Sequence, residues 1–189
     1  QTMVKIASRT EQDINYMSRL KKRGILTNPD ITNAIAHATC TTAMDLNASA
    51  IITVSNSGRT ARMVSKYRPA CPIIGCSVNE DVCRKLNMSW GVTPLLVELK
   101  HNSDELFDHA VDKAEEMGLI EQGEIVVLTA GVPLGISGTT NMIKVHVAGH
   151  ILMQGKGLTD KSAAANLCVI SSPEELKEKF KEGDIIVAR

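Results

Sequence analysis

The sequence lacks an excess of either charge, because its 189 residues include 21 basic and 21 acidic side chains. Proteins that bind nucleic acid or membrane surfaces usually carry clustered positive charge, so neither partner is expected. No apolar run is long enough to cross a bilayer, and the start of the chain does not have the pattern of a signal peptide. The first residue is Gln1 instead of Met, which favours a piece of a longer protein.

The five cysteines are odd in number and include no Cys-x-x-Cys pair. Most lie in apolar runs, where cysteine behaves as a small buried hydrophobe, so we expect reduced thiols in a cytoplasmic protein. His146 and His150 have the four-residue spacing of a metal pair. Residues 144–147 alternate like a strand, however, and positions four apart in a strand are separated by about 13 Å. No metal site is therefore expected.

What the sequence does contain is a regular alternation of short apolar runs with helical patterns. Five runs predict strands: 51–54, 72–78, 92–97, 125–128 and 142–147. Helices are predicted between the first four runs, whereas a glycine-rich loop joins the last two. The pattern is typical of an α/β fold with three αβα layers. Its sheet is predicted to have five strands, mainly parallel, with the last strand antiparallel.

The helical patterns carry their own start and stop signals. Residues 1–23 are predicted to be helical, and Asn28-Pro29-Asp30 is expected to start the next helix with Asn28 as the capping residue. In that helix the apolar stripe is predicted at Ile31, Ala34, Ile35, Ala38 and Leu46. The many Ala and Thr residues between these positions imply close packing against a sheet. Asn79, Asn102 and Ser172 are predicted caps of three later helices.

The composition changes after residue 149. A strand at 167–170, a helix that follows Ser172 and a strand at 185–187 predict a small β-α-β unit. A unit of this size buries too little apolar surface to be an independent domain. We therefore predict an α/β domain over 1–149 and a partial second domain, cut short, over 150–189.

The loop after the first strand run carries hydroxyls, a permissive glycine and one cation: Ser55, Asn56, Ser57, Gly58, Arg59 and Thr60. The first amides of the following helix have no partner within the helix, and the helix dipole adds partial positive charge there. Such an arrangement predicts an anion site, most naturally for phosphate. The alternative is a plain turn in which Thr60 only caps the helix.

A second loop follows the fourth strand run and is rich in glycine and hydroxyls: Gly131, Gly135, Ser137, Gly138, Thr139 and Thr140. Both loops follow the carboxyl ends of predicted strands, where open α/β sheets bind ligands. We therefore expect this second loop to close over an anion held by the first. Alone, a loop of this composition is more often a simple turn.

No catalytic signature accompanies these loops. The run 135–139 is not a nucleophile elbow, since Thr139 replaces the closing glycine, and no Walker loop occurs. Neither loop supplies the histidine or acid that an activated nucleophile needs. The site is therefore predicted to bind and not to catalyse, and a small hydrolase that uses Ser57 or Cys76 is kept as a rival.

The segments 50–60, 64–74 and 129–147 closely resemble the C-terminal domain of bacterial pyruvate kinases. Lys66-Tyr67-Arg68-Pro69 and the Ala-Gly-Val-Pro run at 130–133 are especially specific to that family. The resemblance covers about residues 1–149. Residues 150–189 resemble the start of an extra domain of some bacterial members, which is related to phosphohistidine swivelling domains. The stretch that carries the histidine in those relatives is missing here.

The resemblance implies an effector site and no catalytic or metal residue. In the family, a separate barrel domain uses Mg²⁺ and K⁺ to transfer phosphate from phosphoenolpyruvate to ADP, and this chain contains no barrel. The family's phosphate loop corresponds to residues 55–60 and its closing loop to residues 131–140. Members bind fructose 1,6-bisphosphate or, in many bacteria, AMP, ribose 5-phosphate or a related sugar phosphate. Val132-Pro133 replaces the tryptophan-bearing loop of the eukaryotic forms, so the effector is left open.

The resemblance also implies partners. Family members are homotetramers that pair their C-terminal domains, which makes the strand at 142–147 a candidate interface, and a barrel in the same chain is a further expected partner. Two alternatives without catalysis stay open. The chain could be a stand-alone sensor of a sugar phosphate or nucleotide, or a domain that mediates assembly and leaves both loops empty.

Overall fold

The computed structural model describes residues 2–23, 30–100, 102–132, 140–149 and 165–188. Seven helices and seven strands occur in these ranges. The helices are α1 Thr2–Gln12, α2 Tyr16–Arg23, α3 Ile31–Asp45, α4 Arg59–Tyr67, α5 Glu80–Leu86, α6 Ser103–Glu116 and α7 Pro173–Lys179. The strands are β1 Ala50–Val54, β2 Ile73–Ser77, β3 Val92–Leu96, β4 Ile125–Ala130, β5 Met142–Val147, β6 Leu167–Ile170 and β7 Ile185–Ala188.

Five of the strands form one sheet in the order β3-β2-β1-β4-β5. β1 pairs in parallel with both β2 and β4, and β3 is parallel to β2. β5 runs antiparallel to β4, because a loop and not a helix joins them. The predicted α/β fold with a mainly parallel five-stranded sheet and an antiparallel last strand is confirmed. His146 lies in β5, and His150 lies outside the described residues.

The central strands are buried on both faces, as continuous apolar runs in a parallel sheet should be. One core lies between the sheet and α6, with Phe107 and Val111 against Leu128. The other lies between the sheet and the helices α3 and α4, with Tyr67 and Val64 among its members. Gly75 in β2 allows α5 and β3 to pack closely against this strand, because an added Cβ would lie 2.9 Å from atoms of Leu86 and Val92.

The face of α3 that packs against the rest of the domain differs from the predicted stripe. Its buried residues are Thr32, Ala36, Thr39, Cys40 and Ala43. Ile31, at the start of the predicted stripe, is 67% exposed. Small side chains let the helix approach the sheet closely, so the sheet selects the small-residue face over the bulkier one. The predicted close packing of Ala and Thr is therefore correct, whereas the predicted apolar face is wrong.

The helix boundaries follow local capping chemistry. The segment 1–23 is not one helix, because α1 ends at Gln12 and Asn15 accepts a hydrogen bond from the Ser18 amide at the start of α2. α3 is capped by Asp30, whose side chain accepts from the Thr32 amide, and not by Asn28. Asn28 and Pro29 lie outside the described residues. The predicted caps of α5, α6 and α7, namely Asn79, Asn102 and Ser172, are all observed.

The chain divides into two compact units, residues 1–149 and 150–189. In the second unit, β6 and β7 pair in parallel and α7 connects them. Cys168 and Ile170 are buried, whereas Leu167 and Val169 of the same strand are more than half exposed. The alternation is that of a strand covered on one face. The predicted β-α-β arrangement is therefore present, and the identity of each unit as a domain stays a prediction.

Candidate functional site

The two predicted ligand loops leave neighbouring strands at the same level of the sheet. β1 ends at Val54 and β4 ends at Ala130, and these two residues are paired in the parallel register. The loop that starts at Ser55 and the loop that starts at Gly131 therefore begin side by side at the carboxyl edge. This edge is where open parallel sheets form ligand sites.

Gly58 shapes the first loop for two physical reasons. Its φ of +68° places it in the left-handed region, which costs other residues about 1–2 kcal/mol. An added Cβ would also lie 3.0 Å from Val82 Cγ1 and 3.1 Å from Leu86 Cδ2. Gly58 occupies the cap position of α4 and offers no capping side chain. The helix therefore starts without the side-chain cap that Ser, Asn or Asp provides at α3, α5, α6 and α7.

The start of α4 leaves hydrogen-bonding groups unused. Among the described residues, the amides of Arg59, Thr60 and Ala61 have no acceptor, and the first amide of α4 with one is Arg62, which donates to the Gly58 carbonyl. The hydroxyls of Ser55 and Ser57 make no hydrogen bond to a described residue either, and both side chains are partly exposed. Asn56 is exposed at the tip of the loop. These groups can donate to an anion.

Thr60 differs from the two serines. It is only 4% exposed, and its hydroxyl lies 2.8 Å from the hydroxyl of Thr140, where either oxygen can donate. Thr60 therefore does not cap α4, and its hydroxyl is turned into the protein. The contact connects the start of α4 directly to the end of the second loop, so the two predicted loops do meet.

A third element, the start of α3, joins them and was missed from the sequence. The Thr140 amide donates to the Thr32 hydroxyl at 3.5 Å. Asp30 Oδ2 lies 3.8 Å from Arg59 Nη2, in an ion pair whose two side chains are 40% and 50% exposed. The only local signal was the helix start itself, because nothing in the sequence shows which loops a helix start will face.

Asn141 fixes the base of the second loop. Its side chain accepts a 2.8 Å hydrogen bond from the Val132 amide and donates a 2.6 Å hydrogen bond to the Val132 carbonyl. These two bonds hold Val132 and Asn141 next to each other. Of the predicted loop residues, Gly131 and Thr140 are described. Gly135, Ser137, Gly138 and Thr139 lie outside the described residues.

The nucleophiles of the rival hydrolase lack activation. Cys76 lies in β2 and is 1% exposed, and burial raises the pKa of its thiol. A protonated buried thiol is not a nucleophile. Ser57 is accessible, but no histidine or carboxylate of the described residues hydrogen-bonds to it. An activated serine needs such a base within hydrogen-bonding reach.

Two further findings limit the chemistry of the part that the structure describes. No group of three or more His, Cys, Asp or Glu side chains within it is arranged to hold a metal ion. None of its helices is long and apolar enough to cross a membrane.

Comparison with known proteins identifies relatives over most of the chain. The family described as "Pyruvate kinase, alpha/beta domain" matches residues 33–146. Pyruvate kinase of Geobacillus stearothermophilus is 42% identical over 186 residues, which cover 98% of this chain and 32% of that protein. Pyruvate kinase of Clostridium acetobutylicum is 49% identical over 146 residues, which cover 77% of this chain and 31% of that protein.

A solved structure has the same fold. The crystal structure of a pyruvate kinase from Cryptosporidium parvum superimposes with a TM-score of 0.66 at 30% sequence identity. The superposition covers 74% of this chain and 27% of that one. The chain thus spans about a third of the length of the relatives that it matches in sequence.

Proposed function

Because this chain belongs to the pyruvate kinase alpha/beta domain family, we propose that it is the regulatory and assembly part of a bacterial pyruvate kinase. In this proposal it binds a phosphorylated effector, and a barrel domain of the same cytoplasmic enzyme carries the Mg²⁺- and K⁺-dependent transfer of phosphate from phosphoenolpyruvate to ADP. The effector is AMP, ribose 5-phosphate or another sugar phosphate. The residues of this chain hold and enclose the effector and perform no bond-breaking step.

One observation carries the effector proposal: unpaired amides at the start of α4 stand beside two partly exposed serine hydroxyls and the half-exposed Arg59. We assign Ser55, Ser57, Arg59 and the amides around Gly58 as the phosphate donors. Thr60 contributes its amide, and its hydroxyl holds the end of the closing loop through Thr140. The closing loop, residues 131–140, then encloses the remainder of the ligand.

The number of hydrogen-bond donors at the site is compatible with micromolar binding of a phosphorylated metabolite. Hydrogen bonds to a charged group contribute about 1.5–3 kcal/mol each. Four of them, less the cost of association and of ordering the loop, are compatible with about −8 kcal/mol, which corresponds to micromolar binding. The effector regulates the enzyme only if it binds the active arrangement of subunits more tightly than the inactive one.

The assembly part of the proposal concerns β5. This strand is the edge of the sheet, and Val145 and Val147 on it are 47% and 42% exposed. Edge strands with exposed apolar side chains are ready to pair with another chain. Antiparallel pairing of two β5 strands about a two-fold axis would continue the sheet into a second copy. We propose this contact within a homotetramer.

The test is a calorimetric titration of the full chain with AMP, ribose 5-phosphate, glucose 6-phosphate and fructose 1,6-bisphosphate. Arg59→Gln should weaken binding of the preferred ligand at least tenfold, since a hydrogen bond to a charged group, worth about 1.5–3 kcal/mol, is lost. Arg84→Gln is the matched control, because Arg84 is an exposed arginine on α5 that pairs with Glu80. Equal affinities of the two variants for every ligand would refute the site.

The alternative is a stand-alone sensor with the same loops and no barrel partner. The sensor would bind the same ligands, but its gene product would contain no barrel. Western analysis of the native protein separates the two: a species about three times the length of this chain supports the enzyme, and a species of its own length supports the sensor.

A further inference from the structure

The start of α3 brings a negative charge next to the proposed phosphate site. The two oxygens of the Asp30 carboxylate have different partners. Oδ1 accepts a 3.4 Å hydrogen bond from the Thr32 amide, and Oδ2 lies 3.8 Å from Arg59 Nη2. The separation from Arg59 is longer than a hydrogen bond, and both side chains are substantially exposed. The ion pair is therefore weak and open to exchange with a ligand.

A phosphate and the Asp30 carboxylate compete for the same guanidinium. Arginine binds both kinds of oxyanion through its planar fork, and phosphate brings more charge and more acceptor oxygens than a carboxylate. Asp30 is held in place because it caps α3, whose first turn is joined to the closing loop through Thr32 and Thr140. Arg59 is the movable partner, since its long side chain is half exposed.

We propose, building on the proposed phosphate site, that Asp30 is an internal competitor that occupies Arg59 until a dianionic ligand displaces it. Asp30 thereby sets the selectivity of the site. A doubly charged phosphate exchanges partners with Arg59, whereas a singly charged carboxylate metabolite gains nothing over the carboxylate that is already present. The start of α3 is thus part of the ligand site, together with the loops that follow β1 and β4.

Asp30→Asn separates this role from helix capping. Asparagine caps helices as well as aspartate does, so the variant should fold, while its charge is gone. Asp45→Asn is the matched control: it removes the same charge from the exposed last residue of the same helix, about 20 Å away. Arg59→Gln and the double variant Asp30→Asn/Arg59→Gln complete a cycle that isolates the coupling between the two residues.

The experiment titrates the full chain and these variants with inorganic phosphate and, in parallel, with acetate. Asp30→Asn should bind phosphate about two- to fivefold more tightly than the parent chain, as expected for the release of an exposed ion pair. It should also narrow the difference between the affinities for phosphate and for acetate. Both effects of Asp30→Asn should vanish when Arg59→Gln is present as well. Asp45→Asn should behave as the parent chain does.

Unchanged or weaker phosphate binding by Asp30→Asn would overturn the competitor role while leaving the phosphate site intact. A gain that persists fully without Arg59 would overturn it as well, because Asp30 would then act as a general negative charge. Absence of phosphate binding in both the parent chain and Asp30→Asn would refute the proposed function and the competitor together.

Discussion

The hydroxyl oxygens of Thr60 and Thr140 lie 2.8 Å apart, although 80 positions separate the two residues in the chain. Both side chains are buried, at 4% and 2% exposure. Through this contact the start of α4 and the end of the closing loop form one unit, and the Thr140 amide extends it to Thr32 at the start of α3. The geometry of the proposed site therefore depends on a hydrogen bond that no ligand needs to touch.

Thr60→Val should destabilise the first unit by about 1–3 kcal/mol, because it leaves the Thr140 hydroxyl buried without its partner. Thr140→Val should do the same, and the double variant should cost less than the sum of the two, since no orphaned hydroxyl is left. Urea unfolding followed by fluorescence of Trp90, the single tryptophan, reports the first unit. Thr93→Val, an exposed site on β3, is the control. Additive costs would contradict the pairing.

Gly58→Ala should destabilise the protein more than Gly118→Ala does. Both glycines have nearly the same positive φ, +68° and +66°, so both variants lose about 1 kcal/mol to backbone strain. Only the Cβ at position 58 meets neighbours at 3.0 Å, whereas none lies within 4 Å of the one at position 118. The excess, expected at about 1–2 kcal/mol from overpacking, is measured in the same unfolding assay. Equal costs would show that α5 yields to the new methyl group.

The buried thiol of Cys40 and the half-buried thiol of Cys71 should make the fold sensitive to alkaline pH. Burial raises the pKa of Cys40 from 9.0 to about 12 and that of Cys71 from 9.0 to about 11. The thiols therefore ionise first in the unfolded chain, so their stabilising contribution is complete below pH 9. Above that pH, the contribution of each thiol to the free energy of unfolding falls by about 1.4 kcal/mol per pH unit until the pH reaches the pKa of the folded state.

Urea unfolding between pH 8 and pH 10.5 measures this effect. Cys40→Ala and Cys71→Ala should each flatten the loss of stability above pH 9. Cys168→Ala, in the second unit, should leave the profile reported by Trp90 unchanged. Parallel profiles for all three variants and the parent chain would contradict the assignment.

Val145→Lys should dissociate assemblies that form through β5, because a charged side chain on an edge strand opposes pairing with a second copy. Val169→Lys is the matched control, since Val169 is an exposed valine on β6 with 52% exposure, close to the 47% of Val145. Light scattering after gel filtration measures the mass of each variant. Loss of mass in both variants, or in neither, would contradict an interface at β5.

The helix caps and the alternation of strands and helices could be predicted because they depend on neighbouring residues. The side chain of Asn79 caps α5 by accepting from the amides two and three positions ahead, and Asn102 caps α6 by accepting from the amide three positions ahead. Likewise, the continuous apolar runs of β1 and β4 predict buried strands without knowledge of their partners. These signals act within about one turn or one strand, so the sequence contains them in full.

The position of each group in the site was decided by the tertiary structure. Which face of α3 is buried depends on how closely the helix can approach the sheet, and that contact selected small residues such as Thr32 over Ile31. The inward turn of Thr60 and the ion pair of Asp30 with Arg59 likewise require the loops to be brought together by the strand order. Thr32 and Thr140 are 108 positions apart, and only the completed sheet makes them neighbours.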